Sequence, residues 1–258
     1  TGARIGAQGA GGWMPDVLHG HDWQAGLMPV YLKDAGHDRP TVLTVHNIAF
    51  HGLTAAARMG ALRLPAWAFH PDGFEFYGQI SALKAGLVHA WRITAVSPTF
   101  ARELATPEHG AGLDGVIRSR GGDVRGILNG IDTASWDPMN DPAISGFKSP
   151  NGKAANRSAL MAECGLVEAG GPLAVVVSRL SDQKGLDLLL AALPAFLAQG
   201  GQLALLGSGD RRLEHAWLAA AEAHPGQVSV KIGYDEALSH RFYAGADAVL
   251  VPSRFEPC

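Results

Sequence analysis

Polar residues recur at one kind of position in this chain, at or just after the end of a short apolar run that predicts a strand. Ligands bind at the carboxyl ends of strands in open α/β sheets, so the repetition predicts a ligand site. The groups and their runs are His19, His21 and Asp22 after 16–19; His46 and Asn47 after 41–45; Ser97 after 93–96; Asn129 and Gly130 after 124–128; Arg179 and Lys184 after 173–177; Gly207, Ser208 and Gly209 after 202–206; and Arg254 and Glu256 after 248–251.

Arg179 and Lys184 bracket a predicted turn into a helix. Free N–H groups at a helix start attract anions, and two cationic side chains add full positive charge, which would suit a diphosphate. An isolated pair of this kind is more often a helix start capped by Asp182 with two solvated cations.

Gly207-Ser208-Gly209 is a glycine-rich turn between a predicted strand and helix. It would let the backbone approach a ribose or phosphate closely, but alone it usually indicates a tight turn. The chain contains neither GxGxxG nor GxxxxGK[ST], which disfavours a nucleotide-binding oxidoreductase.

His19-Gly20-His21-Asp22 could suggest a metal site. Its spacing matches no common zinc pattern and no Cys lies nearby, so we predict no metal. A hydrolase triad has little support either, because Asp22 and His46 have no evident Ser or Cys nucleophile. Trp23, Trp91 and Trp136 are interpreted as packing residues rather than ligand platforms.

The elements that must position these groups alternate between strand and helix. The strands are continuously apolar, as expected when helices cover both faces, so we predict an α/β fold of doubly wound parallel sheets. Pro194 is expected to kink or break its helix near the end. Helices are predicted at 23–35, 79–90, 98–104, 184–197, 210–223 and 236–244, and a further strand at 228–232.

The alternation lapses after residue 131, and residues 137–150 contain three prolines. We therefore predict a hinge there, with an N-terminal domain at residues 1–147 and a C-terminal domain at 148–258.

Composition narrows the class of protein. The 258 residues are 47% hydrophobic and 17% charged, which can bury a core, and the net charge of −3 offers no basic field for nucleic acid. Two cysteines make no disulfide framework, and the most apolar stretch is too short to span a bilayer. With no leader visible at the first residue, we predict a cytoplasmic protein with neither a nucleic acid nor a membrane partner.

Several motifs together resemble one family over residues 16–258, bacterial glycogen synthase and plant starch synthase. The motifs are PDVLHGHDWQAG at 15–26, TVHN at 44–47, TAVSPTFARE at 94–103, GILNGID at 126–132, VSRLSDQKGLD at 177–187, LGSGD at 206–210 and PSRFEPC at 252–258.

The resemblance implies the GT-B fold, two Rossmann-like domains with a cleft between them. It implies transfer of glucose from ADP-glucose to the non-reducing end of an α-1,4-glucan, with retention and without a metal or cofactor. The implied mechanism is dissociative, so the site must stabilise the leaving group and position the substrates. A related GT-B glycosyltransferase with another donor or acceptor, and a glucan-binding pseudoenzyme, are the alternatives.

The same resemblance implies roles for single residues. Arg179 and Lys184 would contact the phosphates, and Glu256 the donor sugar hydroxyls. The other implied site residues are His46 near C6 and the anomeric centre, Asn129 on the glucose, Asp22 and Trp23 on the acceptor side, Tyr234 against the adenine, and Asn47, Gly207, Ser208, Gly209 and Cys258 as further substrate contacts.

The chain departs from the family pattern at both ends. It has no Lys-Thr-Gly-Gly-Leu motif, and Cys258 is not followed by the usual Gly-Leu-Thr. We therefore expect both domains to be incomplete and the isolated chain to be inactive or very weak.

Overall fold

A computed structural model describes residues 2–258, which form two compact units. The first comprises residues 2–130 with Pro257 and Cys258, and the second comprises Ile131–Glu256. Thr1, the first residue of the predicted N-terminal domain, lies outside the described residues. Each unit has its own parallel sheet, so the predicted α/β class with parallel sheets is confirmed.

The first unit contains a parallel sheet and a separate small antiparallel sheet. Its strands are β1 (Leu18–His21), β2 (Thr41–Val45), β3 (Leu53–Ala55), β4 (Glu75–Phe76), β5 (Gln79–Ser81), β6 (Arg92–Ala95) and β7 (Val124–Gly126). Its helices are α1 (Gly2–Gln8), α2 (Asp22–Gly26), α3 (Met28–Asp34), α4 (Ala82–His89), α5 (Pro98–Glu103) and α6 (Asp114–Ser119). The parallel order is β1-β2-β6-β7, and the antiparallel order is β3-β5-β4.

The register of the parallel sheet aligns its polar side chains. His21 lies opposite Thr44, and Thr44 lies opposite Thr94, so three polar residues form a row across β1, β2 and β6. Ser97 follows β6 and caps α5, since its hydroxyl accepts a hydrogen bond from Phe100 N at 3.0 Å.

The second unit is a parallel sheet with helices on both faces. Its strands are β8 (Leu173–Val177), β9 (Gln202–Gly207), β10 (Val228–Ile232) and β11 (Ala248–Val249), and its helices are α7 (Ala154–Cys164), α8 (Leu186–Ala198), α9 (Arg211–Ala223) and α10 (Glu236–Gly245). The strand order is β10-β9-β8-β11.

Successive residues of β8 serve two different cores because side chains alternate across a strand. Leu173 and Val175 belong to the apolar cluster that includes residues of α7 and α10. Ala174 and Val176 belong to the cluster that includes residues of α8 and α9. Burial on both faces explains why the sequence of this strand is uninterruptedly apolar.

Two predicted helices differ from the observed elements. The helix predicted at 79–90 begins only at Ala82, because Gln79–Ser81 pairs with strands on both sides and this tertiary pairing overrides the local pattern. The helix predicted at 23–35 is two helices, since Pro29 in the first turn of α3 has no N–H to continue the preceding one.

The second unit differs from expectation in one helix and at its boundary. Pro194 does not break α8, which runs on to Ala198. Residues 131–147, predicted to end the first domain, group instead with the second unit. One reason is a pair of hydrogen bonds: Ser145 N donates to Asn156 Oδ1 at 2.8 Å, and Asn156 Nδ2 donates to Ser145 O at 2.7 Å.

Among the described residues, no helix combines the length and apolar character needed to cross a membrane.

Candidate functional site

A cavity of about 410 Å³ opens in the second unit where β8, β9 and β10 end. It brings together four of the residues implied by the resemblance, Arg179, Gly207, Ser208 and Tyr234. Tyr234 is 86% exposed, and its hydroxyl donates to Glu236 Oε2 at 3.3 Å. The cavity is also lined by Trp136, Val177, Ser178, Leu206, Gly233, Asp235, Glu236, Ser239 and Tyr243.

The glycines of the turn after β9 are required by a neighbouring loop. A Cβ on Gly207 would collide with the carbonyl oxygen of Ser178, and a Cβ on Gly209 with that of Leu180. The two loops are also hydrogen-bonded, since Leu180 N donates to Ser208 O at 2.9 Å. The close approach that needs glycine is therefore made by protein backbone, and it shapes one wall of the cavity.

Lys184 and Glu256 form an ion pair. Lys184 Nζ lies 2.6 Å from Glu256 Oε1, and the Ser253 hydroxyl donates to the same oxygen. Both charged side chains are only partly exposed. Neither residue lines the cavity; the pair joins the turn before α8 to the loop after β11.

Glu256 is held in its ionised form. Burial alone would raise its pKa, but hydrogen bonds from Lys184 and Ser253 and the positive charges of Lys184 and Arg179 outweigh burial, so the pKa of Glu256 lies below its ordinary value. At neutral pH this carboxylate therefore accepts hydrogen bonds and does not act as an acid.

Arg254, which the sequence places after a strand but which was not among the predicted site residues, anchors this loop. Its guanidinium binds both carboxylate oxygens of Asp187, at 2.8 and 2.7 Å, and also donates to Asp182 O at 2.6 Å. The hydrogen bonds from Arg254, with a smaller share from its charge, lower the pKa of Asp187 to about 2. Gly185 allows the contact, because a Cβ there would collide with the carbonyl oxygen of Pro252.

In the first unit, Asp22 holds the turn after β2. Asp22 Oδ1 accepts hydrogen bonds from His46 N at 2.7 Å and from Asn47 N at 3.3 Å. Its own backbone has φ = +51°, which a residue other than glycine adopts at a cost. A carboxylate that orders a loop bearing two predicted site residues, on a residue with a strained backbone, is a candidate functional group.

The three histidines of this region form a cluster in which two are bonded to each other and the third to a hydroxyl group. His21 Nδ1 lies 2.9 Å from His46 Nε2, and His19 Nε2 lies 2.6 Å from Thr44 Oγ1. Thr44 Oγ1 is in turn 2.6 Å from Thr94 Oγ1. Burial, and then the nearby His21 and His46, lower the pKa of His19, so the neutral imidazole is favoured.

Trp23 lines a second cavity, of about 740 Å³, within the first unit. Its ring packs on Gly52, where a Cβ would overlap the indole. His51 also lines this cavity; it is buried, its Nδ1 has no hydrogen-bond partner among the described residues, and burial lowers its pKa. The sequence offered no signal for the cavity, because its wall comes from segments distant in sequence.

The remaining predicted residues are placed as follows. Asn47 Oδ1 accepts a hydrogen bond from Ala49 N at 3.0 Å, which orders the turn after β2. Asn129 lies exposed in the segment after β7. Cys258 is exposed with a free thiol. Within residues 2–258, no group of three or more His, Cys, Asp or Glu side chains is arranged to hold a metal ion; His19 is bonded to the Thr44 hydroxyl, and His21 and His46 are bonded to each other.

Comparison with known proteins matches these features to one family. The model of the starch synthase catalytic domain matches residues 3–119. The glycogen synthase of Jannaschia sp. (strain CCS1) is 58% identical over 256 residues, which are 99% of this chain and 54% of that protein. The glycogen synthase of Paracoccus denitrificans is also 58% identical, over 99% of this chain and 53% of that protein.

A solved structure agrees with the sequence relatives. The catalytic domain of starch synthase IV from Arabidopsis thaliana, bound to ADP and acarbose, superposes with a TM-score of 0.87 at 33% identity, covering 95% of this chain and 53% of that one. The fold is thus that of the GT-B glycosyltransferases. The chain spans about half the length of the curated relatives it matches. These comparisons confirm its resemblance to the glycogen synthase and starch synthase family, which the motifs from residue 15 to residue 258 indicated.

Proposed function

We propose that the complete protein containing this chain is a retaining glucosyltransferase that moves glucose from ADP-glucose to the non-reducing end of an α-1,4-glucan. The observation that carries the proposal is the Lys184–Glu256 ion pair, with the charge of Arg179 acting on the same carboxylate, in a chain 58% identical to glycogen synthases. These charges follow the carboxyl ends of parallel strands, where α/β folds bind ligands.

Arg179 and Lys184 would balance the charge that develops on the leaving diphosphate. Such groups act through preorganisation: they are already oriented when the bond to the sugar lengthens. Because Lys184 is bonded to Glu256, its ammonium group is held in place before a donor arrives.

Glu256 would accept hydrogen bonds from donor sugar hydroxyls. Its lowered pKa supports this role, since an ionised carboxylate is an acceptor only. Glu256 would thereby orient the sugar while Lys184 and Arg179 bear on the phosphates.

The first unit would supply the acceptor side. Asp22 orders the backbone at His46 and Asn47, and Trp23 offers an aromatic face at the edge of a cavity. A cluster of imidazole and hydroxyl groups and an indole suit a polyhydroxylated neutral ligand, which needs directional hydrogen bonds and an apolar surface more than net charge. The cytoplasmic location expected from the sequence remains a prediction.

The test is a transfer assay with the complete protein. ADP-glucose and UDP-glucose are each supplied with a short maltooligosaccharide, and chain extension and the configuration of the new linkage are measured. We expect extension from ADP-glucose with an α-1,4 linkage. Extension from another donor or onto another acceptor would favour a related glycosyltransferase, whereas glucan binding without turnover would favour a pseudoenzyme; either result would contradict the proposal.

A further inference from the structure

Trp136 lines the cavity of the second unit together with Tyr234 and Tyr243. Its sequence context suggested a packing residue. In the structure its side chain is still 40% exposed, so it combines a packed position with an accessible surface. Trp136, Tyr234 and Tyr243 therefore give the cavity an aromatic wall.

The position of Trp136 is set by His240. The two rings are stacked, with centroids 3.7 Å apart and planes 20° from parallel. Tyr243, one turn further along α10, meets the indole edge-on, with centroids 5.7 Å apart. Trp136 is therefore held by two rings of one helix while it reaches the cavity from the segment that precedes α7.

Asp141 in turn holds His240. His240 Nδ1 lies 2.5 Å from Asp141 Oδ2, and both side chains are buried. The other carboxylate oxygen accepts a hydrogen bond from Ala143 N at 2.8 Å. The pair thus closes a loop in the chain, since Trp136 and Asp141 lie five residues apart and both contact the same imidazole.

A ring held in this way costs little to order when a ligand binds. Immobilising a mobile side chain opposes association, and a side chain already fixed by its neighbours avoids that cost. A flat base stacks on an aromatic side chain through its π-face, and a purine offers a larger face than a pyrimidine. A cavity of about 410 Å³ also lies in the size range of small-ligand pockets.

We propose that Trp136 is a specificity-determining wall of the base site that favours a purine nucleoside diphosphate over a pyrimidine one, and that His240 and Asp141 are positioning residues that act through Trp136. This inference rests on the proposed function only in placing the nucleotide part of the donor in this cavity.

The first experiment measures equilibrium binding of ADP and of UDP to the complete protein by calorimetry. Trp136→Ala is expected to weaken ADP binding about tenfold and UDP binding clearly less, as loss of one base–aromatic stacking contact predicts. Trp136→Phe, which keeps a smaller ring and protects the fold, is expected to lie between. Unchanged ADP affinity in the folded Trp136→Phe and Trp136→Ala proteins, or equal loss for ADP and UDP, overturns the proposal.

The second experiment separates positioning from general stability. His240→Ala is expected to raise the KM for the nucleotide sugar about fivefold and to change kcat less, whereas His240→Phe, which restores a ring beneath Trp136 but loses the bond to Asp141, recovers only part of the loss. His215→Ala, on the exposed surface of α9, is the matched control and leaves both parameters unchanged. Equal KM values for His240→Ala and His240→Phe contradict the positioning role.

The two proposals fail separately. ADP binding requires no glucose transfer, so a complete protein that binds ADP through Trp136 but extends no glucan would refute only the proposed activity. A protein that extends glucan with ADP affinity indifferent to Trp136 would refute only the inference.

Discussion

The two parallel sheets carry different chemistry at the same structural position. In and just after the strands of the first sheet lie imidazole and hydroxyl groups, those of His19, His21 and His46 with Thr44 and Thr94. Past those of the second lie ion pairs, Lys184–Glu256 and Arg254–Asp187. One fold class thus carries imidazole and hydroxyl groups in one unit and ion pairs in the other.

The difference also extends to the response to acid. In the first unit, burial lowers the pKa of His19, His51 and His89. The stability of this unit therefore falls as the pH drops below about 6.5, where these histidines bind protons in the unfolded chain. In the second unit the lowered pKa values include those of Asp187 and Glu256, whose stabilising contacts are lost only at more acidic pH.

The largest expected effect is on kcat and comes from the ion pair of the second unit. Lys184→Ala in the complete protein is expected to lower kcat about 100-fold, the loss typical of removing one preorganised electrostatic group, with little change in melting temperature. Lys148→Ala, which removes an exposed lysine of the same unit, is the control and leaves turnover unchanged. Steady-state kinetics and thermal melts measure both; wild-type turnover in Lys184→Ala would remove this residue from the site.

The next effect concerns the shape of the second sheet's edge. Gly207→Ala is expected to reduce the free energy of unfolding by about 1–3 kcal/mol, because the new methyl group meets the backbone of Ser178 rather than a flexible side chain. Gly122→Ala, where a Cβ meets no atom, is the matched control and changes stability little. Denaturant titration followed by circular dichroism decides; equal stability of the two variants would show that the loops separate easily.

A smaller effect is expected where the first unit does use a charge. Asp22→Asn tolerates the positive φ and keeps an oxygen acceptor for His46 N, so only charge assistance is lost, about 1 kcal/mol. Asp22→Ala loses the acceptor as well and is expected to cost more, whereas Asp16→Ala, at an exposed position, costs nothing measurable. If Asn and Ala destabilise equally in urea titration, the hydrogen bonds to His46 and Asn47 contribute little to stability.

The smallest effect tests the difference in acid response. Burial, then the charges of Lys33, His70 and Arg120, lower the pKa of His89 to about 4. The unfolded chain therefore binds this proton near pH 6.5 and the folded chain does not, so stability falls as pH drops from 6.5 towards 4. His89→Gln is expected to flatten this fall by about 1 kcal/mol, a discounted value because water screens a half-buried ring.

Hydrogen exchange at individual amides measures where the protein weakens. As the pH is lowered to 5.5, we expect amide protection in the strands of the first sheet to decrease before protection in the second sheet does. The reverse order, or identical pH profiles for wild type and His89→Gln, would contradict the assignment of acid sensitivity to the first unit.

The strands that a contiguous run of strand-forming residues reveals were predictable from the sequence. Residues 41–45, 173–177 and 228–232 are strands with the predicted bounds, since a contiguous run rich in β-branched residues is visible in the sequence itself. The strand at Gln79–Ser81 was not predictable, because its partners β3 and β4 are short and lack a strong pattern. Helix α7 was not predicted, because it lies in the segment where the strand–helix alternation lapses.

Four residues that line the cavity of the second unit were predictable from the sequence, and their roles remain predictions. Arg179, Gly207 and Ser208 were named from their positions at strand ends, which imply a common edge, and Tyr234 from the family resemblance; all four line one cavity. Ser253 was missed, and Arg254 was noted without a role, because their functions depend on partners some 70 residues away in the chain or on a loop geometry that no spacing reveals.

The sequence by itself determined the fold class, the family and the side chains that follow each strand, since these depend on local burial patterns and contiguous motifs. The tertiary structure alone decided which charged groups form ion pairs and which side chains are fixed by hydrogen bonds or ring stacking. It paired Lys184 with Glu256, gave Asp22 the turn after β2 to order, and stacked Trp136 on His240 above Asp141. Pairings of this kind depend on distances of a few ångströms between segments far apart in the chain, and only the packing of helices on the sheet sets those distances.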